Sequence, residues 1–214
     1  MSKQFRVLSI AVIAVIFVTV GSGANPRQPR EEAERERAAE QPRRNVQHGN
    51  FADSRNGQTY RTVKIGNKTW MTENLNFKTD NSWCYGNDES NCQKYGRLYT
   101  WDAAMKVCPS GWRLPTREDW NDLVEFAGGK VAGKELKSKT DWNGTDDFGF
   151  SALPGGRRRT GGSFLNVGGH GFWWSATEYG SGYAYYRLMH SGLEDVYEGW
   201  DLKSGGYSVR CLQD

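Results

Sequence analysis

Cys108-Pro-Ser-Gly-Trp-Arg-Leu-Pro-Thr-Arg-Glu-Asp-Trp120 is the stretch whose reading decides the fold. Pro115-Thr116 puts a side-chain oxygen where the first free amides of a helix need an acceptor, so a helix is predicted from there to Phe126. Its apolar stripe is Trp120, Leu123 and Val124, and Gly128-Gly129 stops it. Upstream, Leu98, Trp101 and Met105 stand at helical spacing and predict the other helix, with Cys108 at its junction with the following loop. The rest of the domain reads as β structure. Asp53-Ser-Arg-Asn-Gly57 is a hairpin turn, because Asn-Gly tolerates the positive φ such turns require. Tyr60, Val63 and Ile65, then Thr69-Trp70-Met71 beyond Gly66-Asn-Lys, read as paired strands that end at Glu73-Asn-Leu75. From Phe148 to Leu212, short aromatic strands alternate with Gly-rich turns. The expectation is an α+β domain with two helices, short twisted antiparallel strands and long loops.

Composition agrees with one such domain plus a tail. The hydrophobic share is only 37%, yet aromatics reach 13% with nine Trp, so core material is aromatic rather than missing. Twenty-six Gly with six Pro, no triplet period and no longer repeat exclude collagen-like and solenoid architectures. The first 50 residues carry eight Lys/Arg and five Asp/Glu, and the remainder carries twenty of each. The basic balance therefore belongs to the tail, and the globular part has no nucleic-acid footprint. All nine Trp, ten Tyr and four Cys lie beyond residue 50, which sets the expected domain at 51–214.

Lys3 and Arg6 precede a fourteen-residue apolar run from Val7 to Val20, and Ser22-Gly-Ala24 follows with small residues. This reads as a secretory signal peptide over residues 1–24, cut after Ala24. The competing reading is an uncleaved membrane anchor, since residues 7–24 carry no charge. There is no Cys near the cleavage region, so a lipoprotein anchor is not supported. Residues 25–50 hold no large apolar side chain except Val46, too little to offset ordering entropy, and read as a disordered charged linker.

In an exported protein an even cysteine count is a disulfide framework by default. Of the three pairings that four cysteines allow, spacing favours Cys84–Cys92 within a polar loop and Cys108–Cys211 across the domain. A zinc site is the rival, but no Cys-x-x-Cys exists and the domain's histidines are only His170 and His190.

Seven blocks carry a resemblance. They are the opening stretch together with Asn56-Gly-Gln-Thr-Tyr-Arg-Thr-Val-Lys-Ile-Gly66, Trp70-Met-Thr-Glu-Asn-Leu75, Tyr95-Gly-Arg-Leu-Tyr-Thr-Trp101, Gly149-Phe-Ser-Ala-Leu-Pro154, Phe172-Trp-Trp-Ser-Ala-Thr-Glu178 and Tyr207-Ser-Val-Arg-Cys211. In this order they closely resemble the Fibrobacter succinogenes major paralogous domain family over about residues 53–213. The resemblance implies an exported protein of the bacterial envelope, and it specifies no activity; the missing lipoprotein Cys departs from a frequent pattern of the family. At the level of fold the Trp-Trp-Ser strand, the Leu-Pro stretch and the terminal Cys look like the C-type-lectin-like fold, shared broadly with formylglycine-generating enzymes. That resemblance implies the long Cys108–Cys211 bridge.

Candidate chemistry is sparse. Trp120-Asn-Asp122 copies the letters of a lectin calcium motif but falls inside a predicted helix. The 141–147 loop, with Asp141, Asn143, Asp146 and Asp147, is the best oxygen-rich stretch, although a polar loop stapled by its own side chains is the plainer reading. Glu73 and Glu178 are isolated carboxylates, and Cys84 with Cys92 lies in the wrong block for a formylglycine-generating pair, so no catalytic residue, cofactor or metal is assigned. Arg157-Arg-Arg159 is a basic loop that could meet anionic glycans, with solvated charge the plainer reading. Trp70, Trp101, Trp112 and Trp120 are assigned to the core. Tyr183, Tyr185, Tyr186 and Trp200 surround polar turns and form the candidate ligand-binding set, with Tyr183 and Tyr185 on one strand face and Tyr186 opposite. The expected function is a secreted or envelope domain without catalysis that binds a polysaccharide or an envelope protein and touches the membrane only through residues 7–24 if these stay uncut. The alternatives are a glycan-acting or protein-modifying enzyme and a structural envelope protein.

Overall fold

The computed structural model describes residues 46–214. Gly57 takes a φ of 75°, and across the turn it ends, β1 (Gln47–Ala52) pairs antiparallel with β2 (Thr59–Ile65). Next come β3 (Lys68–Met71), β4 (Ser82–Trp83), α1 (Glu89–Tyr95), β5 (Leu98–Tyr99), α2 (Trp101–Val107), α3 (Arg117–Phe126) and α4 (Ala132–Leu136). The C-terminal half contains β6 (Arg157–Arg158), β7 (Phe164–Leu165), β8 (His170–Gly180), β9 (Tyr183–His190), β10 (Tyr197–Leu202), β11 (Tyr207–Ser208) and β12 (Leu212–Gln213). One sheet has the order β1-β2-β3-β12, so the C-terminal strand closes against β3 of the first hairpins. The larger sheet has the order β10-β9-β8-β11-β5-β4, with a parallel pair only between β8 and β11, and β6-β7 forms a small hairpin.

The α+β class holds, but among the described residues four α-helices stand where two were expected. The Cys84–Cys92 segment is not simply a polar loop: Asp88 accepts a bond from the Ser90 amide and opens α1, whose buried residue is Cys92. The other addition, α4, buries Ala132 and Leu136. Leu98 is a strand residue rather than part of a helix, because α2 begins only after the Thr100 cap, and Met105 turns outward. β8 runs for 11 residues, longer than the short strands expected there. β1 starts at Gln47, inside the expected linker, with an almost wholly exposed pattern that hydropathy cannot register. Both expected disulfides are present, Cys84–Cys92 and Cys108–Cys211, and no described cysteine is free. The second closes 103 residues, for which chain entropy assigns about 4.7 kcal/mol.

The adjacent Trp173 and Trp174 of β8 point to opposite sides of the sheet and belong to two different core clusters. Trp173 packs with Val63, Trp70, Trp120 and Phe150, while Trp174 packs with Tyr99, Trp101, Phe172 and Tyr207. Trp112, expected in the core, is only partly buried, against Phe51. Three of the buried indoles have their N–H groups satisfied, and Trp120 Nε1 is buried without a partner: Trp173 donates to Asn74 Oδ1, Trp174 to the Tyr99 carbonyl and Trp101 to the Ser175 carbonyl, each at 2.8 Å.

Helix α3 is set in place by Asp119. Its carboxylate accepts from the Thr116 amide at 2.7 Å in a capping box, and it also holds Arg113 and, at 2.6 Å, Lys68 of β3. Burial opposes ionisation here, but the hydrogen bonds from Arg113, Lys68 and Thr116 outweigh it and keep this carboxyl well below the usual range. Such a group contributes stability fully above its unfolded pKa of about 4 and loses it as pH falls toward the folded value. Asp119→Asn is therefore expected to lower the unfolding free energy by on the order of 3 kcal/mol near neutral pH, measured by urea denaturation. The difference from the parent should shrink in acid, and a difference that does not change with pH would contradict this account.

Candidate functional site

Beyond the reach of α3, the outer halves of β8, β9 and β10 present aromatic rings to solvent. Tyr185 is registered opposite Trp200, and Tyr183 opposite Leu202. Tyr179 lies parallel to Trp200 with centroids 4.7 Å apart. Tyr183 meets Trp200 edge-on at 5.4 Å, and Tyr179 meets Tyr185 edge-on at 5.4 Å. Tyr179, Tyr183 and Trp200 are among the exposed large hydrophobic side chains, with Trp200 50% and Tyr179 49% accessible, and Tyr185 is half-buried. The structure thus brings together Tyr183, Tyr185 and Trp200 from the expected set. The fourth member, Tyr186, lies on the opposite face, as strand alternation requires, and packs with Phe172 and Tyr207. Tyr179 was not legible in the sequence, because the pairing of β8 with β9 shifts register between Trp174 and Glu178 and again before Gly180, and a bulge defeats a period-two reading.

A polar rim borders these rings. The Arg117 guanidinium lies 4.7 Å from the Tyr185 ring centroid and donates through Nε and Nη2 to Glu198 at 3.0 and 2.7 Å. Arg187, nearly buried, reaches the other Glu198 oxygen at 2.6 Å and the Asn121 side chain. The Arg117 hydrogen bond, acting against partial burial, holds the Glu198 carboxyl below its ordinary value. A general acid needs the opposite shift, so Glu198 acts as a fixed acceptor that sets the two guanidinium groups. On the opposite face of the sheet, away from these rings, Lys203 lies over Trp101 and bonds Glu178 at 2.7 Å.

The remaining candidates do not converge. Glu73 is engaged by the backbone and side chain of Arg61 on the four-stranded sheet, whereas Glu178 belongs to β8 of the other. In the 141–147 loop Asp146 accepts from the amide and hydroxyl of Ser151, Asn143 bonds the Ser191 carbonyl, and Asp141 accepts from the Thr140 hydroxyl. The Asp141 and Asp146 oxygens are spent on stapling the loop, and Asp122 of the lectin-like tripeptide pairs with Lys68. Among the described residues the one cluster with metal-ligand spacing is Cys84, Glu89 and Cys92, whose sulfurs are joined in a disulfide. Arg157 and Arg158 form β6 rather than a free turn. Among the described residues no helix is long and apolar enough to cross a membrane, and the 7–24 segment lies outside them.

Residues 63–213 match the family model described as the Fibrobacter succinogenes major domain. No curated protein and no solved structure matches the chain. With the loop oxygens occupied, thermal unfolding in millimolar calcium and in chelator should give midpoints within about 1 °C of each other. A rise of several degrees with calcium would place an ion in the 141–147 loop, since a ligand bound to the folded state raises its stability by mass action.

Proposed function

The chain belongs to the Fibrobacter succinogenes major domain family, and we propose that its domain is an exported module without catalysis of its own that binds a glycan on the platform of Tyr179, Tyr183, Tyr185 and Trp200. The observation that carries this reading is the platform itself: four rings linked in a chain of contacts, Tyr183 to Trp200 to Tyr179 to Tyr185, three of them exposed and Tyr185 half-buried, with an ion pair beside them. A pyranose ring has apolar C–H faces and polar edges. Aromatic faces suit the former, and a donor such as the Arg117 head, which lies against Tyr185, suits the latter. The carboxylate beside the rings, Glu198, is ion-paired with Arg117 and Arg187, which favours binding over acid–base chemistry.

Export is supported by two disulfides, which persist in oxidising compartments, and by the apolar run of residues 7–20 behind Lys3 and Arg6. The C-type-lectin-like architecture is part of the same proposal. It is favoured by the long Cys108–Cys211 bridge, by the meeting of the C-terminal β12 with β3, and by the Trp-Trp-Ser strand at the centre of the large sheet.

The test is a binding screen of the full chain against soluble and insoluble neutral polysaccharides, beside the Tyr185→Ala, Trp200→Ala double variant. Binding weakened about 30-fold or more in a variant with an unchanged fold is the expected result, since a buried aromatic anchor contributes about 2 kcal/mol or more. Binding that survives the double substitution would remove the platform from the account. A parent that binds no glycan would shift the rings to a protein partner.

A further inference from the structure

Trp200 and Asp201 are neighbours on β10, the edge strand of the large sheet, so their side chains face opposite ways. On the Asp201 side lies a cleft of about 380 Å³ walled by Arg157, Arg158, Arg159 and Thr160. Its charges do not cancel. Arg157 Nη1 donates to Asp201 at 2.9 Å and to the Tyr207 hydroxyl at 3.0 Å, and that hydroxyl also donates to Asp201. One guanidinium and one carboxylate are thereby consumed. Arg158 instead lies over Trp83, with its guanidinium carbon 3.9 Å from the ring centroid. The stack occupies the face of the guanidinium and leaves its in-plane N–H fork free; among the described residues no carboxylate pairs with Arg158 or Arg159. Two unneutralised guanidinium groups thus share one cleft, in a domain of zero net charge over residues 51–214. The hydroxyls of Thr160 and Ser204, 3.1 Å apart, add neutral donors and acceptors beside them.

We propose that this cleft holds the carboxylate of a uronic acid unit, and that the ligand of the domain is an acidic polysaccharide. A planar carboxylate accepts two parallel bonds from a guanidinium fork, and a fork already fixed by stacking loses little freedom on binding. The cleft volume lies toward the low end of small-molecule sites, about 300–1,000 Å³, which suits one or two sugar units and not a folded partner. The inference rests on the glycan reading of the platform, on the other face of the same edge strand, and it names the ligand class.

The experiment titrates the full chain with oligogalacturonate, with a neutral oligosaccharide that the platform binds, and with a sulfated oligosaccharide, and repeats all three with Arg158→Gln/Arg159→Gln and with Trp200→Ala. A second variant, Arg159→Gln alone, changes only an exposed residue and keeps the Arg158–Trp83 stack as a safeguard against misfolding. The expected result is oligogalacturonate affinity that weakens with added salt and falls about tenfold or more in the double arginine variant, partly in the single one, with neutral binding unchanged. Oligogalacturonate bound equally by parent and arginine variants, with neutral binding intact, overturns this inference and spares the platform. Preference for the sulfated ligand over the uronate overturns the carboxylate assignment, and absence of all glycan binding overturns both readings.

Discussion

The buried amide of Asn74 is the constraint on which the rest of the molecule depends. Its oxygen accepts from Trp173 Nε1 at 2.8 Å and from Arg210 Nη2 and Nε at 2.9 and 3.2 Å. Its nitrogen donates to the Tyr95 carbonyl at 2.8 Å and toward Ser208 Oγ at 3.4 Å. One side chain therefore joins the exit of the N-terminal sheet, the end of α1, the central strand β8 and the C-terminal strands. Arg210 is fully buried and has no carboxylate partner among the described residues; it also donates to the Phe150 carbonyl and lies over the Phe150 ring. Burial pushes this guanidinium down to about 9, against the attraction of Glu73 and Asp146. An amide and a carbonyl satisfy its donors where a carboxylate would have cancelled its charge. Loss of the Asn74 oxygen would strand both a buried indole N–H and a buried cation, the costliest kind of polar defect. Backbone geometry is fitted to the same point: Gly96 takes a φ of 74°, and a Cβ there would come within 2.8 Å of Asn74.

With β8 pinned by Trp173 on one side and Trp174 on the other, the inner half of the large sheet is sandwiched between two aromatic clusters. The Cys108–Cys211 bridge and the Asp119 ion-pair knot then fix the loop and helix that cover one face. Helix α3 reaches as far as Arg117, which meets Glu198 of β10. Past that point nothing among the described residues covers the strands, and the rings of the platform stand on a scaffold immobilised from below. A rigid aromatic surface loses little conformational freedom when a ligand arrives, which is the physical advantage of presenting a binding site on strands.

Local chemistry was legible in the sequence wherever it sufficed to determine structure. Thr116 caps its helix, Asn56-Gly57 makes its hairpin turn and the cysteines pair as their spacing suggested. Tyr183, Tyr185 and Trp200 came together because neighbouring strands align them. Readings failed where the period was broken or where polar groups carried the structure. Helix α1 has one buried residue, Cys92, and so lacks an apolar stripe to read. The spacing of Leu98 from Trp101 imitated a helix across a strand and a cap. Tyr179 was hidden by the irregular pairing of β8. The arginines at 157–159 looked like solvated charge because neither the Trp83 stack nor the Asp201 pair is local in sequence. Asn74 and Arg210 gave no signal, since a polar core is invisible to hydropathy.

The central claim is that ligand meets the platform and not the aromatic core. It is tested most directly by indole N–H resonances of the full chain during titration with the best glycan found. The exposed Trp200 indole should shift progressively with ligand, while the indoles of Trp101, Trp173 and Trp174, sealed in hydrogen bonds to protein oxygens, stay where they are. A titration in which bound glycan leaves the Trp200 resonance unmoved would contradict the account.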